Sequence, residues 1–224
     1  RLIESGPAAG ALMAAFLGDR FGEPDLLSFD MGGTTAKGAL IRDGRPLRRY
    51  EFEVAREYGF KHGSGLPLRI PVIDMIEIGA GGGSIATVDE RNLLAVGPSS
   101  AGADPGPACY GRGGPLALTD MNLLLGKIRT ERFPLPLDLQ AVEQQLSGLI
   151  DQVENTSGTR YQPLQLAAGF VRIANANMVE AIRSVSVARG YDPAEYLLVA
   201  FGGAAGQHAC EVARQLGIRQ ILNH

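Results

Sequence analysis

The distribution of apolar and polar positions predicts mainly strands in the first half of the chain and mainly helices in the second. Alternating or continuously apolar runs predict strands at about 26–31, 36–42, 47–55, 69–78, 84–88, 93–97, 196–201 and 220–222. Helical periodicity and capping residues predict helices at about 7–18, 120–126, 138–154, 163–189 and 207–216. Strands followed by helices, with a final β–loop–α unit, predict an α/β fold.

Local residues mark several of these boundaries. Ser5 can cap the first helix, with Pro7 in its first turn, and Thr119 can cap the second. Gly190 follows the longest helix at the position where a glycine often ends a helix. Asp43-Gly44 predicts a turn between two strands. The first helix is rich in Ala and Gly, which indicates that another part of the chain packs closely against it.

Composition narrows the class of protein. With 224 residues, 45% of them hydrophobic, the chain can form one large domain or two small ones. A net charge of −3 without a Lys/Arg run argues against nucleic acid as a partner. The lack of an apolar stretch of about twenty residues argues against a membrane span. Cys109 and Cys210 lie outside any metal-binding spacing, so we expect a cytoplasmic protein.

The stretch LLSFDMGGTTAKGALI, at 26–41, contains the first candidate site. A strand reaches Asp30, and the turn Gly32-Gly33-Thr34-Thr35 follows before a second apolar strand. Glycines let the backbone approach a ligand, threonines offer hydroxyl groups, and a carboxylate can hold Mg²⁺ or position a water molecule. The sequence therefore predicts a phosphate site here, and a plain tight β-hairpin is the alternative.

A second glycine segment, Gly202-Gly203-Ala204-Ala205-Gly206, joins an apolar strand to the last helix. A helix that begins after a glycine turn presents N–H groups and its positive end to an anion. We therefore predict nucleotide contacts at Gly202, Gly203, Ala204 and Gly206, and a closely packed strand–helix connection is the alternative. His208 can orient a substrate or bind a metal as a neutral imidazole, or it can be a capping or surface residue. Neither glycine segment is a Walker loop, because no Gly-Lys-Ser/Thr follows.

Other positions allow both a functional and a structural interpretation. The loop Gly79–Gly83 with Ser84 can form an anion-binding nest or a strained connection between two strands. Cys109 as a nucleophile needs a nearby base and a lowered pKa, neither of which the sequence shows, so a structural role is favoured. The remaining polar candidates are Lys37, His62, Asp104, Tyr110, Asp120, Asn175 and Asn177.

The order of these segments resembles the second half of an actin-like ATPase. The motifs SGPAAG, FDMGGTTAK, IGAGGGSIA, VGPSSAGADPGPACYGRGGP, LTDMNLLLG and FGGAAGQHA are similar, in this order, to those of A subunits in the hydantoinase/oxoprolinase family. The resemblance implies a ribonuclease H-like α/β fold with a mixed β-sheet, flanking helices and inserted loops. It also implies ATP with Mg²⁺ or another divalent metal, with Asp30 as the metal- or water-positioning carboxylate of phosphoryl transfer. The Asp-Gly-Gly-Thr turn would meet the β- and γ-phosphates, and the later glycine turn would lie beside the adenosine.

The resemblance covers nearly the whole chain, but two features of such subunits are missing. No Asp/Gly phosphate loop precedes Arg1, so we expect residues 1–224 to be a fragment of one lobe, without the N-terminal lobe of the same protein. The resemblance also implies that this fragment contains an inserted region, at about 56–160. The strand before the glycine loop reads Asp74-Met75-Ile76-Glu77 where some members have Asp-x-His, so a histidine role is not carried over.

The function implied by the resemblance is ATP-dependent ring opening of a cyclic amide such as hydantoin, N-methylhydantoin or 5-oxoproline, through phosphorylation of the amide oxygen. The same activation suits ATP-dependent carboxylation of a ketone. Both activities imply a partner B-type subunit or domain. A non-catalytic module for nucleotide binding and subunit docking is the alternative from another class, and we expect the isolated fragment to show no turnover.

Overall fold

A computed structural model of the chain describes residues 5–54 and 65–223, so His62 lies outside the described residues. The helices in this part are α1 (Ser5–Phe21), α2 (Leu118–Leu124), α3 (Leu139–Ser157), α4 (Pro163–Ala188) and α5 (Ala209–Leu216). The strands are β1 (Leu26–Met31), β2 (Ala36–Arg42), β3 (Arg45–Pro46), β4 (Arg48–Arg49), β5 (Phe52–Val54), β6 (Leu66–Leu68), β7 (Val72–Ile73), β8 (Met75–Ile78), β9 (Ser84–Val88), β10 (Leu94–Ser100), β11 (Leu197–Phe201) and β12 (Ile221–Asn223). No helix in the described part combines the length and the apolar character needed to cross a bilayer.

The described residues form two compact units. The first unit takes its residues from 1–30, 37–78 and 180–224, and the second from 31–36 and 79–179.

The first unit is built on a mixed sheet. Its strand order is β12-β11-β1-β2-β3, with β8 also paired to β2. Strands β12, β11 and β1 are parallel, whereas β2 and β3 form an antiparallel pair across the turn Asp43-Gly44. Both turn residues have positive φ, 49° and 73°, which confirms the predicted turn.

Helix α1 packs closely on this sheet, as its small residues predicted. Ala14 and Ala15 form a core cluster with sheet residues, among them Leu26 and Val199. A Cβ at Gly18 would lie 2.5 Å from a side-chain carbon of Leu26, so only glycine fits there.

The second unit combines the antiparallel pair β9–β10 with α2, α3 and the first part of α4. The Asp138 carboxylate caps α3 by accepting a hydrogen bond from the Ala141 N–H at 3.0 Å. The helix buries Val142, Leu146, Ile150 and Val153 on one face. It is terminated by Gly158, whose backbone is in the left-handed conformation. Burial at helical spacing explains why the amphipathic pattern predicted this helix.

Several predicted boundaries were wrong, and the structure gives the reason for three of them. The strand expected at 47–55 is divided into β4 and β5, because residues 48–49 pair with β7 whereas residues 52–54 pair with β6. Helix α2 begins at Leu118 after Ala117, so Thr119 lies inside the helix and is not its cap. A 3₁₀ turn at Ala205–Gln207 delays the start of the last helix to Ala209.

Candidate functional site

Asp30 lies near the end of β1, where the first unit brings two candidate segments to one edge of its sheet. Strands β1 and β11 are parallel, and Asp30 is in register with Phe201. The segment that follows Phe201, which begins Gly202-Gly203, therefore leaves the sheet at the same edge as Asp30, the edge where ligands of open α/β sheets bind. The carboxylate of Asp30 is partly buried, and no hydrogen bond or ion pair engages it within the described residues.

The glycine segment after β11 begins with a backbone that requires glycine. Gly202 has a φ of +86°, a conformation that L side chains rarely adopt. Gly203 is exposed, whereas Ala204 and Ala205 are buried at the start of the 3₁₀ turn. A Cβ at Gly206 would lie 3.3 Å from the Asn223 Oδ1 atom, so packing restricts this position.

His208 is completely buried at the N-terminal boundary of α5. His208 has at least one further interaction within the chain. The catalytic role given to His208 stays a prediction, and a substrate would reach the ring only if the surrounding residues moved.

The second unit holds the turn Gly32–Thr35 against the loop Gly79–Gly83 by backbone hydrogen bonds. The N–H of Gly82 donates to the Gly32 carbonyl oxygen at 3.0 Å, and the N–H of Gly83 donates to the Gly33 carbonyl oxygen at 2.6 Å. The Gly32 N–H closes the turn by donating to the Thr35 carbonyl oxygen at 3.1 Å. Because the N–H groups of Gly82 and Gly83 are used within the chain, the structure favours a connecting role for this loop over an anion-binding nest.

The same hydrogen bonds orient two N–H groups of the turn. The bonds Gly32–Gly33 and Gly33–Thr34 are trans, and the C=O and N–H of a trans peptide point in opposite directions. With both carbonyls directed at Gly82 and Gly83, the N–H groups of Gly33 and Thr34 point away from that loop. Neither N–H has an acceptor among the described residues, and both residues are exposed. Two adjacent free donors of this kind can bind a phosphate oxygen.

The space around the glycines separates two kinds of position. A Cβ at Gly81 would lie 2.5 Å from the Thr34 carbonyl carbon, and one at Gly83 would lie 2.9 Å from the Gly33 oxygen, so packing requires glycine at both. A Cβ at Gly32, Gly33 or Gly203 would meet no described atom within 4 Å, and none of the three has positive φ. Nothing in the described protein requires glycine at these three positions, whereas a ligand that contacts the backbone would.

The carboxylate of Asp30 fits a divalent cation as a single ligand. No group of three His, Cys, Asp or Glu side chains among the described residues can hold a metal ion. Mg²⁺ usually keeps several waters and binds through one or two carboxylates together with substrate phosphates. The donors present therefore suit a metal that arrives with a nucleotide.

Asp120 and Cys109 form a buried structural pair in the second unit. The Asp120 carboxylate accepts hydrogen bonds from the N–H groups of Ala108, Cys109 and Ala117, at 3.1, 2.8 and 2.7 Å. Burial raises the pKa of the Cys109 thiol, and the hydrogen bond to Asp120 and the charge of Asp120 raise that pKa further. This environment is opposite to that of a nucleophilic thiolate and agrees with the structural role favoured from the sequence.

The other polar candidates lie in varied surroundings. The Lys37 Nζ atom lies 3.4 Å from the Glu77 carboxylate, so its charge is already balanced. Tyr110 packs its ring against Phe133, with the ring centroids 6.0 Å apart. Asp104 and Asn177 are exposed, whereas Asn175 is buried.

Comparisons with known proteins agree with the motifs. The sequence profile of the family described as Hydantoinase/oxoprolinase matches residues 1–224. An uncharacterized protein of Methanocaldococcus jannaschii is 43% identical over 98% of this chain and 32% of its own length. The caprolactamase subunit alpha of Pseudomonas jessenii is 36% identical over 98% of this chain and 30% of its own length. The 5-oxoprolinase of Saccharomyces cerevisiae is 36% identical over 99% of this chain and 17% of its own length.

Two solved structures share the fold. A nucleotide-free acetone carboxylase aligns with a TM-score of 0.82 and 25% identity, over 97% of this chain and 29% of the other. The ATP-dependent caprolactamase from Pseudomonas jessenii aligns with a TM-score of 0.79 and 34% identity, over 98% of this chain and 30% of the other. The chain thus spans about a third or less of the relatives named here. Its profile match and its mixed α/β fold, which is that of the actin-like ATPases, place the chain in the hydantoinase/oxoprolinase family of ATP-dependent enzymes.

Proposed function

We propose that the protein containing this chain opens a cyclic amide, such as hydantoin, N-methylhydantoin or 5-oxoproline, at the expense of ATP. The observation that carries the proposal is the turn at Gly32–Thr35. It offers two adjacent N–H donors that have no acceptor among the described residues. The described atoms also leave room for a side chain at both of its glycines, so the fold does not explain why glycine is present there. Such a turn suits phosphate oxygens, as the family implies.

The proposal gives roles to three residues of the turn and to Asp30, which precedes it. A cyclic amide is a poor electrophile, and bound ATP would supply the phosphoryl group that makes its oxygen a leaving group. The N–H groups of Gly33 and Thr34 would bind a phosphate oxygen, with the hydroxyl groups of Thr34 and Thr35 as further donors. Asp30 would hold the divalent cation or position a water molecule. Catalysis of this kind depends on positioning and charge stabilisation more than on covalent chemistry.

The relatives support a cyclic amide as the substrate class. The 5-oxoprolinases and the caprolactamase are named for substrates whose amide bond lies within a ring. The alpha subunit of the caprolactamase is by its name one part of an assembly. We therefore propose that the protein acts with a B-type subunit or domain and with an N-terminal lobe of the same protein.

One observation favours a second candidate function. The acetone carboxylase, an enzyme of ATP-dependent acetone carboxylation, has a TM-score of 0.82 to this chain. ATP-dependent carboxylation of a ketone through an enol phosphate would use the same phosphate-binding turn, so the described residues suit both reactions.

Phosphate release by the complete protein, together with its B-type partner and Mg-ATP, tests the proposal. Hydantoin, N-methylhydantoin, 5-oxoproline, caprolactam and acetone with bicarbonate are offered in turn. Stimulation by one of the cyclic amides is the expected result and identifies the substrate. Stimulation by acetone and bicarbonate alone would establish the carboxylase instead. ATP binding without stimulation by any compound would favour the docking module.

A further inference from the structure

The free N–H of Thr34 is the end of a chain of hydrogen bonds that begins at Thr119. The Thr119 N–H and its Oγ both donate to the carbonyl oxygen of Gly82, at 2.7 and 2.8 Å. The next N–H along, that of Gly83, donates to the Gly33 carbonyl oxygen at 2.6 Å. Two peptide groups in series therefore connect Thr119 with the N–H of Thr34.

A parallel series ends at the neighbouring N–H of Gly33. The Ser84 N–H donates to the Gly81 carbonyl oxygen at 3.0 Å, and the Gly82 N–H donates to the Gly32 carbonyl oxygen at 3.0 Å. Both series run in the same direction. Each begins with a donor inside the protein, Thr119 or Ser84, and ends at an exposed N–H that has no acceptor. Hydrogen bonds in series polarise one another. The donors of Thr119 and Ser84 therefore make the free N–H at the other end of each series a stronger donor.

Thr119 itself is fixed by the buried carboxylate of Asp120. Asp120 is fully buried and accepts a hydrogen bond from the N–H of Ala117, which directly precedes α2. It also holds the N–H groups of Ala108 and Cys109, which begin the neighbouring 3₁₀ turn. The first turn of α2 is thereby held in place, and the position of the Thr119 hydroxyl is set by the fold rather than by solvent.

We propose that Thr119 is a positioning residue for phosphate binding, although it lies outside both glycine-rich loops. It fixes the plane of the Gly82–Gly83 peptide and, through it, the direction and donor strength of the Thr34 N–H. This inference rests on the proposed function, since it assumes that the Thr34 N–H binds a phosphate oxygen of ATP.

The test is the affinity of the complete protein for Mg-ATP in the variants T119V and T119S, measured by titration calorimetry. T119V removes the hydroxyl donor and keeps the backbone donor, so we expect the Kd for Mg-ATP to rise about threefold to tenfold. T119S keeps the hydroxyl, so its Kd should equal that of the wild type. If T119V does not fold, T119A removes the same hydroxyl with a smaller side chain.

The control is T156V, which removes another threonine hydroxyl from the same unit. The Thr156 Oγ donates to the carbonyl oxygens of Gln152 and Val153 within α3, at 3.0 and 3.1 Å. T119V should raise the Kd for Mg-ATP, and T156V should leave it unchanged. An unchanged Kd in T119V, an equal rise in T156V, or an equal rise in T119S would each overturn the proposal. A wild-type protein that does not bind Mg-ATP would refute the proposed function itself.

Discussion

At the residue scale, glycine serves two different purposes in the second unit. Gly81 and Gly83 lie against the backbone of the turn at 32–35, where a Cβ has no room. Gly32 and Gly33 have ordinary φ values and open space where a Cβ would be. Substitution by alanine should therefore separate the glycines required by the fold from those required by a ligand.

We expect Gly33→Ala and Gly81→Ala to have opposite effects. Gly33→Ala should change the free energy of unfolding by less than about 0.5 kcal/mol and weaken Mg-ATP binding about tenfold or more, because its methyl group occupies the phosphate position. Gly81→Ala should lower the free energy of unfolding by about 1–3 kcal/mol, since the new Cβ overlaps the backbone near Thr34. Denaturant unfolding and calorimetric titration measure the two effects. Full ATP affinity in Gly33→Ala would refute the ligand explanation.

Asp30 should be needed for activity and not for stability. No described residue bonds to its carboxylate, so Asp30→Asn should change the free energy of unfolding by less than about 0.5 kcal/mol. Loss of the charge that holds the cation should lower substrate-stimulated phosphate release about a hundredfold or more. Steady-state phosphate release and denaturant unfolding of the complete protein check both parts. Phosphate release near the wild-type rate would show that Asp30 has been assigned the wrong role.

The two cysteines should differ in reactivity. Cys210 is exposed, whereas Cys109 is buried and the pKa of its thiol is raised by burial and by Asp120. Iodoacetamide at pH 8 should therefore modify Cys210 quickly in the native protein and Cys109 only after unfolding, as peptide mass analysis would detect. The variant C210S serves as the control and should take up no label while folded. Labelling of native Cys109 at the rate of Cys210 would contradict its described environment.

The raised pKa of Cys109 also gives a pH dependence. The unfolded thiol has a pKa of about 8.5, and the native thiol keeps its proton well above that pH. Since the unfolded chain releases a proton that the native chain retains, the free energy of unfolding should fall as the pH rises above about 8.5. The variant C109A lacks this titration and should show a smaller fall when unfolding is measured at several pH values. Equal falls in both proteins would refute the assignment.

At the scale of elements, the N-cap of α3 provides a direct stability test. Asp138→Ala removes the carboxylate that accepts the Ala141 N–H and should lower the free energy of unfolding by about 1 kcal/mol. Asp151→Ala on the same helix removes only an exposed ion pair with Arg160, so its effect should stay below about 0.5 kcal/mol. Denaturant unfolding of the two variants gives the comparison. Equal losses would show that the cap does not stabilise the helix.

The sequence predicted an element well where its signals were local. Helix α3 has its cap and its apolar stripe within its own residues, and α4 ends near the predicted Gly190, whose φ is +76°. The division of the strand at 47–55 was missed, because it depends on pairing with two strands later in the chain, β7 for β4 and β6 for β5. In the same way, the sequence suggested only a capping role for Thr119. Its partner Gly82 is 37 positions away in the chain, and local capping rules contain no information on such a pair.

At the scale of the whole molecule, the chain is short compared with its relatives in the hydantoinase/oxoprolinase family. It covers 32% of the Methanocaldococcus jannaschii relative and 30% of the caprolactamase subunit alpha. We expect residues 1–224 alone to show no ATP turnover, because the family resemblance implies a further phosphate loop that these residues do not contain. Phosphate release by the isolated chain, with circular dichroism as a check of folding, tests this. Sustained ATP hydrolysis by a folded isolated chain would show that no other segment is required.

The contrast between the two thiols also gives the wild-type chain a built-in reporter position. Cys210 lies in the first turn of α5, shortly after the Gly202–Gly206 segment, and the chain contains one other cysteine, which is buried. A fluorophore attached to Cys210 would therefore label a single position without any engineered cysteine. Its emission would follow the arrival of a nucleotide at the neighbouring segment in real time, so that binding rates become measurable before any substrate is known.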